Sequence, residues 1–195
     1  MNNDLMFSSE NQCWATRWET FHSIEEQLGR KYNLDPCCFA ETAKCENFLT
    51  PKEDMFSVKN PLDHFLHLEQ IQIFCNPEYG RAQAKFVEHI AEWCEYDNVV
   101  ADVLIPSRTD TILYHDLILE KATSIRFVKG RITFGSDEYW KDLWEQPFLK
   151  GKANPMYKKY GKTSPAPFPS MVVTFGEDKP FEYGSISLPK TKIKV

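Results

Sequence analysis

The chain has 195 residues, of which 42% are hydrophobic and 26% charged, which is typical of one globular domain with a sizeable core. Its formal net charge is −5, which excludes a nucleic-acid binder that is basic over its whole surface. Any contact with nucleic acid therefore needs a local basic patch. No apolar run approaches 18 residues, which excludes a membrane span, and the polar start lacks a signal-peptide pattern. We therefore expect a cytoplasmic protein.

Six cysteines in that compartment are expected to be reduced thiols. No CxxC pair exists, and no histidine follows a cysteine pair at zinc-finger spacing. Small buried thiols are therefore favoured over a zinc site, and no metal is predicted.

The first predicted helix starts at the stretch TRWE. Its spacing is that of a capping box, in which Thr16 accepts from the amide of Glu19. Apolar residues then recur at helical spacing: Trp18, Phe21, Ile24 and Leu28. Gly29 is the expected end of the helix. A short strand is predicted over 32–35, and a second is suggested over 47–50.

Apolar strands and amphipathic helices alternate along the rest of the chain. The predicted strands cover 71–75, 98–106, 124–130 and 171–176, and the predicted helices cover 81–95 and 110–122. Such alternation is typical of a sheet covered by helices on both faces. We predict a three-layer α/β sandwich with a mostly parallel central sheet, in one domain over residues 1–195.

An insert at about 136–166 breaks this alternation. From residue 150 to residue 162 it contains five lysines and no acid: Lys150, Lys152, Lys158, Lys159 and Lys162. Tyr157 and Tyr160 lie among them. Basic residues mixed with aromatic ones are typical of nucleic-acid contacts, although a solvated surface has the same composition. The insert is therefore a candidate for DNA recognition.

Three loops follow predicted parallel strands, at the end of the sheet where ligands bind in open α/β folds. They contain the motifs LDPCC, CNPEYG and IPSRTDT. In the third, Arg108 and Thr109 are candidates for DNA contact, because a guanidinium suits phosphate. The alternative is that Arg108 pairs with Asp110 and only shapes the loop.

The NPEY motif can serve the methylation of a planar amino group. An aromatic amine is a poor nucleophile because its lone pair is delocalised into the ring. Two acceptors, the side-chain oxygen of Asn76 and the carbonyl of Pro77, can favour a tetrahedral nitrogen with an available lone pair. Tyr79 can stack on the ring and orient it. The alternative is a strand end with a proline turn and a surface tyrosine.

The sequence resembles the DNA N6-adenine methyltransferase family of bacteriophages. The resemblance extends from about Trp14 to Phe175 and consists of several stretches in order: WATRWETF, LDPCCFAETAKCENF, FCNPEYG, LIPSRTDT, IRFVKGRITFG and APFPSMVVTFG. It implies a Rossmann-like methyltransferase fold and methyl transfer from S-adenosylmethionine to adenine N6 in double-stranded DNA. A phage-encoded enzyme of this kind acts in the host cytoplasm.

The resemblance also implies roles for individual residues. The residues matched to the cofactor site are Trp14, Ala15, Thr16, Asp35, Pro36, Cys37 and Asp54. Asp35 is placed near the ammonium of the cofactor and Asp54 near its adenosine part, while Cys37 and Cys38 either pack against the cofactor or fill the sheet. Asn76, Pro77 and Tyr79 are implied to hold the target adenine, which such enzymes flip out of the duplex.

The main departure from the family pattern is Glu78, which replaces the second proline of NPPY. Proline fixes φ near −65° and pre-forms the loop, whereas glutamate loosens it and adds a negative charge. Two alternatives therefore remain open. One is the same fold methylating cytosine N4 or a protein glutamine, and the other is an inactive relic that binds only cofactor or DNA.

Overall fold

The computed structural model describes residues 15–134 and 165–188, apart from the side chain of Glu41. The strands are β1 (Leu34–Asp35), β2 (Asn47–Phe48), β3 (Ile71–Cys75), β4 (Val99–Pro106), β5 (Ser124–Val128), β6 (Ser170–Phe175) and β7 (Glu182–Ile186). The α-helices are α1 (Trp18–Leu28), α2 (Pro61–His64), α3 (Gln83–Trp93) and α4 (Leu119–Lys121), which continues a π-helical segment over Leu113–Ile118. Two 3₁₀ turns cover Ala40–Thr42 and Met55–Ser57.

These strands form a seven-stranded sheet in the order β2-β1-β3-β4-β6-β5-β7. Within it β6 is antiparallel to its two neighbours, and the other pairs are parallel. The prediction of a mostly parallel α/β sheet is confirmed. The edge strand β7 was not predicted, because Glu182 and Tyr183 are exposed and it lacks an apolar run.

Each face of the sheet has its own core, because successive side chains of a strand point to opposite faces. On one face, strand residues such as Ile73 pack with Val87 and Ile90 of α3. On the other, strand residues such as Phe74 pack with Phe21 and Ile24 of α1. Helices therefore cover both faces. We refer to these as the α3 core and the α1 core.

The predicted capping box at the start of α1 is wrong. The N-cap is Arg17, with extended backbone and no side-chain cap, so the third helical position falls on Thr20 rather than Glu19. Thr16 is buried, and its hydroxyl has no hydrogen-bond partner. Trp18 is 51% exposed and so does not belong to the buried stripe. The predicted end of the helix is confirmed, since Gly29 is left-handed with φ 64°.

A buried charge fixes the segment after α1 to the middle of β4. Asp102 has no exposed surface, and its carboxylate accepts hydrogen bonds from Arg30 Nε at 2.8 Å, Tyr32 Oη at 2.8 Å and Thr174 Oγ1 at 2.6 Å. Arg30 also donates to Glu177 at 2.5 Å. A buried carboxylate is tolerated when it is paired and hydrogen-bonded in this way.

The described cysteines are free thiols, and Cys13 lies outside the described residues. None of the helices in the described ranges is long and apolar enough to cross a membrane.

Candidate active site

Three loops leave the sheet at one end, which we call the carboxyl end. β1 ends there at Asp35, β3 at Cys75 and β4 at Pro106, and all three strands run in the same direction. β6 enters at this end, since Ser170 pairs with Pro106. The predicted gathering of the DPCC, NPEY and SRTD loops is therefore confirmed.

Tyr79 orients the amide of Asn76. Its hydroxyl donates to Asn76 Oδ1 at 2.7 Å and lies 3.4 Å from the carbonyl oxygen of Leu104. Burial raises the pKa of Tyr79 well above its ordinary value, so the hydroxyl keeps its proton at neutral pH. An amide oxygen can accept two hydrogen bonds, and the hydrogen bond from Tyr79 takes up one of these two positions.

The ring of Tyr79 belongs to the α1 core and is only 5% exposed. It meets Phe168 edge-on at 5.5 Å and Phe134 edge-on at 6.0 Å between ring centroids. Sequence reasoning missed these two aromatic partners, although they lie in the stretches ITFG and APFPS. Stacking of Tyr79 on a base remains a prediction.

The remaining residues of the motif differ in exposure. Pro77 is buried, whereas Glu78 and Gly80 are exposed. Gly80 has φ 113°, a conformation that side chains rarely adopt, so the glycine is needed where the loop turns towards α3. The residue that replaces the second proline therefore lies at the surface, two positions before a glycine whose backbone conformation other residues rarely adopt.

Asp35 is a buried carboxyl group held by the backbone. It is 3% exposed, and its two oxygens accept from the amide of Cys37 at 3.4 Å and the amide of Lys44 at 3.0 Å. Burial outweighs these hydrogen bonds and raises the pKa of Asp35 to about 6. A cation next to it would favour the charged form.

The start of α1 contacts the loop after β1. Ala15 is half-buried, Thr16 is buried, and Trp14 lies outside the described residues. Trp18, in the first turn of α1, has its ring 4.6 Å from Nζ of Lys44. This contact connects the first turn of α1 to the loop after β1, and sequence reasoning missed Lys44.

Three sulfur atoms cluster where the loop after β1 meets the end of β3 and the turn at Met55. Cys37 Sγ is 3.3 Å from Met55 Sδ and 3.4 Å from Cys75 Sγ, and Pro36 beside it is buried. Burial raises the pKa of the Cys37 thiol. Cys37 therefore packs against the α3 core as a neutral thiol.

Asp54 lies on the turn that follows β2 and is exposed. Its carboxylate accepts from the amide of Phe56 at 3.2 Å and so caps the turn over Met55–Ser57. Its φ of 50° is unusual for a residue other than glycine. Its predicted contact with the adenosine part of a cofactor remains a prediction.

Arg108 and Thr109 are exposed in the loop after β4. No carboxylate that the structure describes, Asp110 included, lies within 4.0 Å of the Arg108 guanidinium, so the alternative pair with Asp110 is not formed. Arg108 lines a cavity of about 320 Å³ together with Gln83, at the start of α3.

The five lysines predicted to contact DNA lie outside the described residues: Lys150, Lys152, Lys158, Lys159 and Lys162.

Comparison with known proteins identifies the group to which this site belongs. A family model described as DNA N-6-adenine-methyltransferase (Dam) matches residues 5–168. The chain belongs to the Dam family. A DNA N-6-adenine-methyltransferase of Haemophilus phage HP1 (strain HP1c1) is 37% identical over 131 residues, which are 67% of this chain and 70% of that protein. No solved structure matches the chain at a significant level.

Membership of the Dam family makes the chain an adenine-specific DNA methyltransferase, as the sequence predicted. The matched residues include the WAT, DPCC, NPEY and SRTD stretches, and they extend as far as Phe168, beside Tyr79. The match to the family model therefore includes all three loops at the carboxyl end of the sheet.

Proposed function

We propose that this Dam-family enzyme transfers a methyl group from S-adenosylmethionine to N6 of an adenine flipped out of double-stranded DNA. The observation that carries the proposal is the hydrogen bond from Tyr79 Oη to Asn76 Oδ1 at the carboxyl end of β3. It orients the amide oxygen that the chemistry needs.

The protein's part in the reaction is to orient the amino group. Asn76 Oδ1 and the carbonyl oxygen of Pro77 accept the two amino hydrogens, which favours a tetrahedral nitrogen with a directed lone pair. Tyr79 acts through Asn76, because its hydroxyl limits the rotation of the amide. Orientation of this kind lowers the barrier without a strong acid or base.

Two buried groups fit the amino-acid part of the cofactor. The carboxyl group of Asp35 has no cationic side chain within 4.0 Å in the described part of the chain, and the Thr16 hydroxyl is buried without a partner. An ammonium group next to Asp35 would stabilise its charged form. When bound, S-adenosylmethionine supplies a methyl group on a positively charged sulfur.

The sheet supports a Rossmann-like arrangement, in which cofactor and substrate bind beyond the carboxyl ends of the parallel strands. The DPCC loop and the start of α1 lie on the cofactor side. Arg108 and Thr109 project from the loop after β4, where the guanidinium can meet a DNA phosphate. The lysines of the insert extend this basic surface in our proposal.

Glu78 is, in this proposal, a tolerated variant. The acceptor at position 77 is a main-chain carbonyl that does not depend on the next side chain, and the Glu78 side chain lies at the surface. The alternative, an inactive relic, requires that Glu78 prevents the loop from holding the base.

The decisive experiment is incubation with unmethylated DNA and labelled S-adenosylmethionine, followed by mass analysis of the nucleosides. We expect N6-methyladenine, and its loss in Asn76→Ala, which should keep the fold and the cofactor affinity. Product from Glu78→Pro but not from the natural chain would support the relic. N4-methylcytosine, or no product from either protein, would contradict the proposal.

A further inference from the structure

Lys44 carries an ammonium group that is buried without an anionic partner in the described part of the chain. The residue is only 7% exposed. Nζ donates to the carbonyl oxygen of Thr42 at 2.6 Å, and no described carboxylate lies within 4.0 Å of it. Removing an ammonium from water is costly unless it is paired, so this environment favours an anion.

The side chain is held on the ring of Trp18. Nζ lies 4.6 Å from the ring centroid, and the ring of His22 stacks on Trp18 at 5.4 Å with an interplanar angle of 24°. Trp18 is half exposed, which is unusual for a tryptophan on a helix that packs against a core. The ring meets Phe21 edge-on at 5.7 Å and also holds the Lys44 ammonium on its face, so it anchors this cation to α1.

Lys44 also connects to Asp35 through its backbone. Its amide donates to Asp35 Oδ2 at 3.0 Å, so one residue brings a cation and a buried carboxyl group into the same loop. The Thr16 hydroxyl, buried without a partner, lies two residues before Trp18 in the chain. Together these residues offer an acceptor for an ammonium group and donors for a carboxylate.

An α-amino acid has an ammonium and a carboxylate on the same carbon. We propose that Lys44 binds the carboxylate of the amino-acid part of S-adenosylmethionine, while Asp35 binds its ammonium. This inference rests on the proposed use of that cofactor and names the residue that recognises its second charge. Trp18 is then a positioning residue, because it acts through Lys44.

The electrostatics of the loop agree with this role. Burial lowers the pKa of Lys44, and the nearby charge of Asp35 opposes that effect. A bound carboxylate would raise the pKa of Lys44 again and stabilise its charged form. The carboxylate of the ligand would therefore pair with an ammonium group that has no described carboxylate within 4.0 Å.

The test compares ligands that differ by one charged group, measured by titration calorimetry. S-adenosylhomocysteine has both charges, its decarboxylated analogue keeps the ammonium alone, and 5′-methylthioadenosine has neither. In Lys44→Met we expect the affinity for S-adenosylhomocysteine to fall roughly 10- to 100-fold, the range for a charge-assisted hydrogen bond. The affinity for the decarboxylated analogue should change less than about twofold, because that ligand has no group for Lys44 to bind.

Two matched variants complete the test. Lys44→Arg keeps the charge and should recover most of the affinity for S-adenosylhomocysteine. Asp35→Asn should weaken both ligands that have an ammonium and leave 5′-methylthioadenosine unchanged. An equal loss of S-adenosylhomocysteine and its decarboxylated analogue in Lys44→Met would overturn the inference.

If Lys44→Met does not fold, the affinities of the natural protein for the two ligands test the role of Lys44. The natural protein must bind S-adenosylhomocysteine at least about tenfold more tightly than the decarboxylated analogue, and equal affinities would overturn the role of Lys44. If the natural protein bound neither ligand, the proposed cofactor itself would be wrong. Equal binding of the two ligands would thus refute only the role of Lys44, whereas binding of neither would refute the use of this cofactor.

Discussion

Replacing Tyr79 with phenylalanine separates the orienting role of its hydroxyl from the role of its ring. The substitution removes the 2.7 Å hydrogen bond to Asn76 Oδ1 and leaves the edge-on contacts with Phe134 and Phe168 in place. A hydrogen bond between neutral groups contributes about 1 kcal/mol to stability, so we expect a loss of that size in urea unfolding.

The same free energy sets the expected effect on the rate. If the hydroxyl limits rotation of the amide, losing about 1 kcal/mol of orientation lowers kcat roughly fivefold, since 1.36 kcal/mol corresponds to tenfold. The affinity for S-adenosylhomocysteine should not change. Single-turnover methylation of an unmethylated oligonucleotide, with enzyme in excess, measures the chemical step directly.

Tyr32→Phe is the matched control. Its hydroxyl donates to the buried carboxylate of Asp102 at 2.8 Å in the middle of the sheet, so its loss should lower stability without lowering the single-turnover rate. A natural rate in Tyr79→Phe together with an inactive Asn76→Ala would contradict the orienting role, because the amide would then need no orientation by the hydroxyl.

Three further predictions follow from other groups. Burial raises the pKa of Asp35 to about 6, and only its charged form can pair with an ammonium. The affinity for S-adenosylhomocysteine should therefore be constant from about that pH to neutral pH and fall about tenfold per unit below it; calorimetry that shows no fall below that pH would contradict this. Asp102→Ala leaves Arg30 and Tyr32 without their buried acceptor and should cost roughly 3 kcal/mol in urea unfolding, and a loss below about 1 kcal/mol would show that the network contributes little. Neutralising the lysines of the insert should reduce the slope of log affinity for DNA against log salt concentration by roughly 0.9 for each lost phosphate contact. An unchanged slope would show that these lysines belong to an ordinary solvated surface. The lysines to change are Lys150, Lys152, Lys158, Lys159 and Lys162.

The central strands were predictable because strands buried on both faces need apolar residues at nearly every position. The predicted ranges 71–75 and 98–106 agree closely with Ile71–Cys75 and Val99–Pro106. The helix predicted over 110–122 is present, but its first part over Leu113–Ile118 is a π-helix, which the apolar period does not distinguish from an α-helix.

The start of α1 and the edge strand β7 were not predictable in the same way. The TRWE stretch satisfies the capping-box pattern, but the helix begins one residue later and leaves Thr16 buried. In β7 the backbone pairing with β5 fixes the strand, while Glu182 and Tyr183 face solvent. Local patterns carry little information on pairing of this kind, because the partner strand supplies the hydrogen bonds.

The location of the candidate site was predictable, because loops after parallel strands meet at one end of the sheet. Its contacts were not. The aromatic partners of Tyr79 and the cation on Trp18 come from segments far apart in the sequence, and only the folded chain brings them together. Lys44 could therefore be recognised as a candidate only from the folded structure, which brings it onto the ring of Trp18.

The β2-β1 edge of the sheet should open more readily than its centre. β3 and β4 are joined over five residue pairs and β4 and β6 over six, whereas β1 and β2 have two residues each and β1 meets β3 at one pair. Fewer backbone hydrogen bonds mean a smaller free energy of local opening, so amide hydrogens around Leu34 and Asn47 should exchange with solvent sooner than those of β4. A ligand that binds Asp35 and Lys44 would slow that exchange selectively, because it would contact the edge of the sheet where the strands share the fewest residue pairs.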